Sequence, residues 1–535
     1  MGANQRKSGA RLLALAGLAL WVGACGSGDD ETLKIGPVEG FAGVLAADEP
    51  HAALIGRDVL GNGGNAGDAA VAMYFAMAVT LPSRAGLAGG GVCLVFDHGD
   101  KAAEVIEFLP QAGPSGGVVP RGVRAMAALH ARYGLIRWEP LVAPAENLAR
   151  FGHSVSRALA RDLVRAAATI RSDRELSRIF RSGTGRLPGE GDRVLQPDLS
   201  SVLAGIRLQG AGYMHVGPFT RRFAEAASAA GQRLSPMELR GALARFQAPA
   251  QLRFGTETLY FSVPPAADGL LAAVLWQLLT EVRDYDSAPP DERPHLFVEA
   301  AMRAFADRAS WLAPGGQSRE PAPDLLAEDR LARLMADYNA GRHTAAFRLS
   351  PAPESRPEDP DGAGFAVGDR WGNAVACSLT MNGLFGAGRI APDTGVLLAA
   401  PPLGGNDGTL SPSVAILGNE PNGDAHLALA ASGGAAAPTA LVAALLGVLA
   451  LDQPLEEVIA APRLHHGGAP DLVLYEAGVP PTELDALRAR GHGMAEAEAL
   501  SRVGGFYCVE GLRDIKYGCA ANSDPRGWGL GALVQ

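Results

Sequence analysis

A hydroxyl or thiol at a newly cut N-terminus can be activated by its own α-amine, and one stretch of this chain is laid out for such a cut. Residues 348–364, RLSPAPESRPEDPDGAG, form a proline-rich polar connector that cannot pack and reads as exposed. It runs into a β-hairpin, with Phe365–Val367 as one strand, residues 368–373 as the turn and Ala374–Leu379 as the return. The junction, however, reads Gly362, Ala363, Gly364, and none of these can attack a carbonyl. Cys377 lies mid-strand and could not become terminal. Cys93 and Cys377 sit in apolar strands and read as small buried hydrophobes. Cys508 and Cys519 flank a turn-rich segment between two short strands, which predicts a hairpin disulfide in an oxidising compartment. His465 and His466 are adjacent, so their side chains diverge; with no Cys or acidic partner nearby, no metal site is predicted, nor any cofactor.

The elements that must position this junction are legible nearby. ALIGRDVL reads as a helix ending at Gly61, whose freedom at positive φ suits a helix C-terminus. Asn65 caps a second helix with Asp68 three residues on, and AAVAMYFAMAVT is apolar almost all round, hence buried, until Pro82. GNGGNAG follows a helix rather than a strand and lacks the dinucleotide spacing, so it is not a phosphate loop. RAGLAGGGVCLVFD leads a glycine run into a strand.

At 535 residues and 47% hydrophobic the chain can bury a large core, and its 68 glycines fall in short runs rather than a repeat. A net charge of -10 with no basic block argues against a nucleic-acid partner. Arg6, Lys7 and Arg11 precede the apolar run LLALAGLALWVGA, which is too short to span a bilayer and reads as a secretory signal over residues 1–24. Val22-Gly23-Ala24-Cys25 resembles a bacterial lipobox, with Cys25 as the lipidated residue and residues 25–36 as a tether. That implies export to the periplasm and a lipid anchor, with Gly26 favouring the outer membrane.

The hairpin, with LFGAGRIAPDTGVLL after it, resembles the start of the small subunit of γ-glutamyltranspeptidases. So do the GGNAGDAA helix and glycine-run strand entry, residues 130–156, HLFVEAAMRAFADRASWL (295–312), LEEVIAAPRLHH (455–466) and SDPRGWG (523–529). The resemblance runs in order from about Val38 to the C-terminus. It implies an α+β fold, the four-layer αββα sandwich of N-terminal-nucleophile hydrolases, built as one domain from residues 37–350 and 362–535 around a connector at 351–361. It implies an enzyme that moves γ-glutamyl groups, as in glutathione hydrolysis, with a small peptide or γ-glutamyl-like ligand.

Carried over residue by residue, the resemblance places the family's nucleophilic Thr on Gly362, and the following Thr and His on Ala363 and Gly364. Gly433 and Gly434 match the oxyanion-hole glycines, although a tight turn alone would also account for them; Asn382 matches a substrate-site Asn. The carboxylate-binding Arg becomes Pro110, and the acids that hold the amino group become Leu403 and Gly404. The family's Ser-Ser pair becomes Gly408-Thr409. The nucleophile, the cation and the anion are lost together while packing motifs persist, which is the pattern of a degenerate enzyme. Two alternatives stay open: an active γ-glutamyl transferase or hydrolase, and an enzyme with another nucleophile, for which Thr409 and Ser411 are the hydroxyls on offer.

Overall fold

Thirteen strands pair into two antiparallel sheets in the computed structural model, which describes residues 40–349, 362–402, 412–515 and 518–535. In chain order they are β1 Gly43–Ala47, β2 Gly90–Asp97, β3 Ala102–Glu107, β4 Arg245–Gln247, β5 Ala250–Phe254, β6 Glu257–Phe261, β7 Ala363–Asp369, β8 Ala374–Thr380, β9 Ser413–Asn419, β10 Asp424–Ser432, β11 Arg502–Cys508, β12 Cys519–Asn522 and β13 Leu530–Val534. The first sheet runs β13-β1-β7-β8-β2-β3-β4 and the second β12-β11-β10-β9-β6-β5. Both sheets take strands from both sides of the connector, interleaved in the first and as two blocks in the second.

Side-chain alternation assigns the layers. In β2, Val92, Leu94 and Phe96 enter the core shared with the second sheet, whereas Cys93 and Val95 face a separate helical core. β8 repeats this, with Ala374 and Ala376 on one side and Val375, Cys377 and Leu379 on the other. The helical core is filled by α1, Pro50–Gly61, and α2, Ala66–Thr80. Beyond the second sheet lie α3, Ala267–Thr280, α4, Arg293–Trp311, and α5, Ala437–Leu445. The order is helices, sheet, sheet, helices: an αββα sandwich.

Every residue of α2 is buried, and its start is held by a capping box between Asn65 and Asp68. The Asp68 carboxylate also accepts from the Leu135 and Ile136 N–H groups at 3.0 and 3.2 Å. The positive φ after α1 falls on Gly63, at 90°, and not on Gly61, because Asn62 closes the helix first. The hairpin strands are longer than the sequence suggests. β7 runs to Asp369 because Asp369 pairs with Gly43 of β1. The buried Asp369 carboxylate accepts from the Trp371 and Asn373 N–H groups, and from Ala66 N at 2.9 Å. One side chain therefore folds the turn and fixes it to the first residue of α2.

The reading of Cys93 and Cys377 as separate hydrophobes is corrected: they form a disulfide. Register brings them opposite each other on β2 and β8, Cα to Cα 4.1 Å, across 284 residues of sequence, a distance that hides the pairing from a linear reading. Cys508 and Cys519 face each other on β11 and β12 and are also bonded.

Candidate functional site

Gly362 is the last residue before β7, and the strand sits centrally in the first sheet. Four segments converge on it. Asp48 follows β1, Leu379 is near the end of β8, Ser432 ends β10, and Arg502 begins β11. The Asp48 carboxylate accepts from Gly364 N at 2.8 Å and from the Ser432 hydroxyl at 3.0 Å, with Arg502 Nε 3.5 Å away. Asp48 N returns a bond to the Gly364 carbonyl at 3.0 Å, and Arg502 donates to the Gly362 carbonyl at 2.7 Å. Ser501 donates to the Ser432 carbonyl at 2.7 Å. All of these side chains are buried. Burial, with the charge of nearby Arg84, brings Arg502 down to about 10, against the pull of Asp48.

The backbone at position 362 disfavours a side chain. Its φ is 90°, and a Cβ there would stand 2.7 Å from the Leu379 carbonyl oxygen. A Cβ on Gly364 would lie 3.0 Å from that of Ala430. The junction is thus closed around bare backbone by a carboxylate, a guanidinium and a hydroxyl already spent on each other.

The other residues singled out by sequence fall as follows. Gly433 and Gly434 directly follow Ser432, whose Cβ is 3.9 Å from the Cβ position of Gly362, and their φ values of 105° and 78° demand glycine. Asn382 is brought to Pro110, but as a brace: its amide donates to the Pro110 and Ala400 carbonyls, both at 3.0 Å, which occupies both N–H groups. Cys25, Leu403, Gly404, Thr409 and Ser411 lie outside the described residues.

Two sequence motifs interlock beside the site. Arg463, from APRLHH, pairs with Asp524, from SDPRGWG, at 2.6 Å, and Asp524 also accepts from Val503 N. Arg526 bridges Asp524 and Glu476. The two histidines part: His465 meets Thr439, and His466 faces Asp471 at 3.2 Å, so an acidic partner does exist five residues on.

Sequence reading missed Asp48, Arg502 and Ser432, because each reaches the junction only through the fold; Asp48 is 316 residues from Gly364. It also missed a second cluster. Among the described residues His295, Glu299 and His492 bring metal-ligand atoms together, and the i, i+4 spacing of the first two was a visible signal.

The sequence model described as Gamma-glutamyltranspeptidase matches residues 52–400 and 408–534. A protein named glutathione hydrolase proenzyme from Pseudomonas aeruginosa is 26% identical, over 92% of this chain and 95% of its own length. One of the same name from Escherichia coli is also 26% identical, over 87% and 88%. Among solved structures, a cephalosporin acylase from Bacillus halodurans superposes with a TM-score of 0.78 at 20% identity, over 92% of this chain and 96% of that one, which shows the N-terminal-nucleophile hydrolase fold.

Proposed function

The chain belongs to the gamma-glutamyltranspeptidase family, and from that premise we propose that it is a catalytically silent, lipid-anchored periplasmic member, neither cut at the connector nor able to transfer γ-glutamyl groups. The observation that carries this reading is Gly362. The residue the family uses as nucleophile has no side chain here, and its φ of 90° and the carbonyl 2.7 Å from its Cβ position oppose adding one. Cutting in this family uses the same hydroxyl, so both chemistries go together. Pro110 in place of the cation, with the Asn382 amide occupied by carbonyls, removes the anchor for a substrate carboxylate. Gly433 and Gly434 keep glycine at the oxyanion-hole positions, which supports a γ-glutamyl-like or small-peptide ligand as the partner in this reading, without the group that would attack it. Assaying a chromogenic γ-glutamyl anilide with the purified protein tests this; turnover at the rate of the glutathione hydrolases would refute it.

A second reading, hydrolysis through another nucleophile, is favoured by one observation: Ser432 lies beside position 362, next to Gly433, with its hydroxyl on a carboxylate. Should hydrolysis occur, Ser432→Ala abolishes it under this reading and leaves it unchanged under an unrelated one.

The lipid anchor rests on Cys25. Cys25→Ser leaves the protein unlipidated and out of the membrane fraction; unchanged partitioning would refute the anchor.

A further inference from the structure

Helix α4 carries His295 and Glu299 one turn apart, so both leave the same face. His492, 197 residues away from His295, meets them there. His295 Nδ1 lies 2.7 Å from His492 Nε2, and Glu299 Oε1 lies 3.9 Å from that nitrogen. All three residues are buried, with one ligand atom of each within 4.8 Å of the others.

The surroundings of each ligand are informative. His295 Nε2 is 2.9 Å from the Asn339 carbonyl, which can only accept. The proton therefore sits on Nε2, and Nδ1 turns a lone pair toward the centre of the cluster. Glu299 Oε1 is oriented by Thr344 N at 3.0 Å and His343 Nδ1 at 2.7 Å, while Arg303 binds Oε2. Arg303 shares its charge with Asp337. The His492 side chain is 1% exposed, yet its Nδ1 has no partner among the described residues. Hydrogen bonding thus orients His295 through its far nitrogen, holds the Glu299 carboxylate at both oxygens and leaves the third imidazole incompletely used.

We propose that His295, Glu299 and His492 bind one divalent transition-metal ion of the zinc class. Two imidazoles and one carboxylate form a zinc donor set, with a fourth position for water, whereas magnesium and calcium prefer oxygen ligands throughout. The carbonyl behind His295, and the His343 and Arg303 groups behind Glu299, are the outer contacts that orient metal ligands. With Zn–N bonds of about 2.0–2.1 Å, tetrahedral ligands stand about 3.3 Å apart, so the two rings open by about half an ångström on loading. His343, which bonds Glu299, also reaches Asp471 through Nε2, as does His466 Nε2, and the Asp471 side chain is 36% exposed. The ion would join helix α4 to the segment carrying His492, from opposite sides of the connector. None of its ligands touches the junction at Gly362, so the proposal stands independently of the reading of that site.

The test uses the full chain without a histidine tag, stripped with a chelator, dialysed against zinc and analysed by mass spectrometry for metal. One zinc per chain is expected, with affinity lower by about 100-fold or more in His295→Gln and His492→Gln. Zinc should raise the melting temperature of the native protein and not that of the variants. Less than about a tenth of a zinc per chain, or equal binding by folded variants, would overturn the proposal. Should the variants fail to fold, the cobalt(II) form of the native protein decides: intense visible bands of a four-coordinate ion support the site, and the faint bands of the hydrated ion refute it.

Discussion

Restoring the missing hydroxyl with Gly362→Thr should fail to restore the enzyme, and the structure sets the size of the failure. A β-branched residue at φ 90° costs about 1–3 kcal/mol in backbone strain. Its Cβ would also press to 2.7 Å against the Leu379 carbonyl, part of β8 in the middle of the first sheet, where overpacking costs about 1–3 kcal/mol more. Lower entropy of the unfolded chain returns about 0.4–1 kcal/mol. The variant should therefore be about 1–6 kcal/mol less stable in urea, and Gly362→Ala, with the strain but no hydroxyl, should lose most of the same amount. At best the variant cuts itself slowly, because that step is intramolecular. Turnover stays absent, since a lost charged anchor costs about a further 2–5 kcal/mol and Pro110 supplies no charge. The assays are urea unfolding, a reducing denaturing gel and γ-glutamyl anilide hydrolysis. Full stability with prompt cutting and turnover would refute the reasoning.

Asp48→Asn removes the buried carboxylate that accepts from Gly364 N and the Ser432 hydroxyl and lies 3.5 Å from Arg502, and should cost about 3–5 kcal/mol in urea unfolding, part of it recovered by adding Arg502→Met. Glu238 is held at about 2; burial opposes this, but hydrogen bonds from Ser235 and Ser115 outweigh it. Its stabilisation is complete above the ordinary value of 4.5 and fades as pH falls from there toward about 2, so the urea-midpoint gap between native protein and Glu238→Gln should close over that window. Replacing Cys377 by Ala opens a cross-link between residues 284 apart and should cost about 2–5 kcal/mol, read from denaturant midpoints.

How much was legible depended on how local the determinants are. Asn65, Asp68 and the apolar run to Thr80 announce a buried helix, because capping and periodicity act over a few residues. That Gly362, Ala363 and Gly364 carry no hydroxyl or thiol was readable for the same reason: a motif position is filled or it is not. The environment of Gly362 was not legible, since Asp48, Ser432 and Arg502 arrive on strands from both sheets. The Cys93–Cys377 bond was hidden likewise, since strand register pairs them and neither flank signals it. His492 belongs to the same class, whereas His295 and Glu299 carried a spacing signal within one helix.

The disulfide also shapes the decisive test. Cys93 and Cys377 lie on opposite sides of the connector, so a cut chain would stay joined and run as one species without reductant. The measurement is therefore a reducing denaturing gel, with N-terminal analysis, of the protein as purified from its host. The account predicts a single chain retaining the connector. Two chains, one beginning at Gly362, would contradict it.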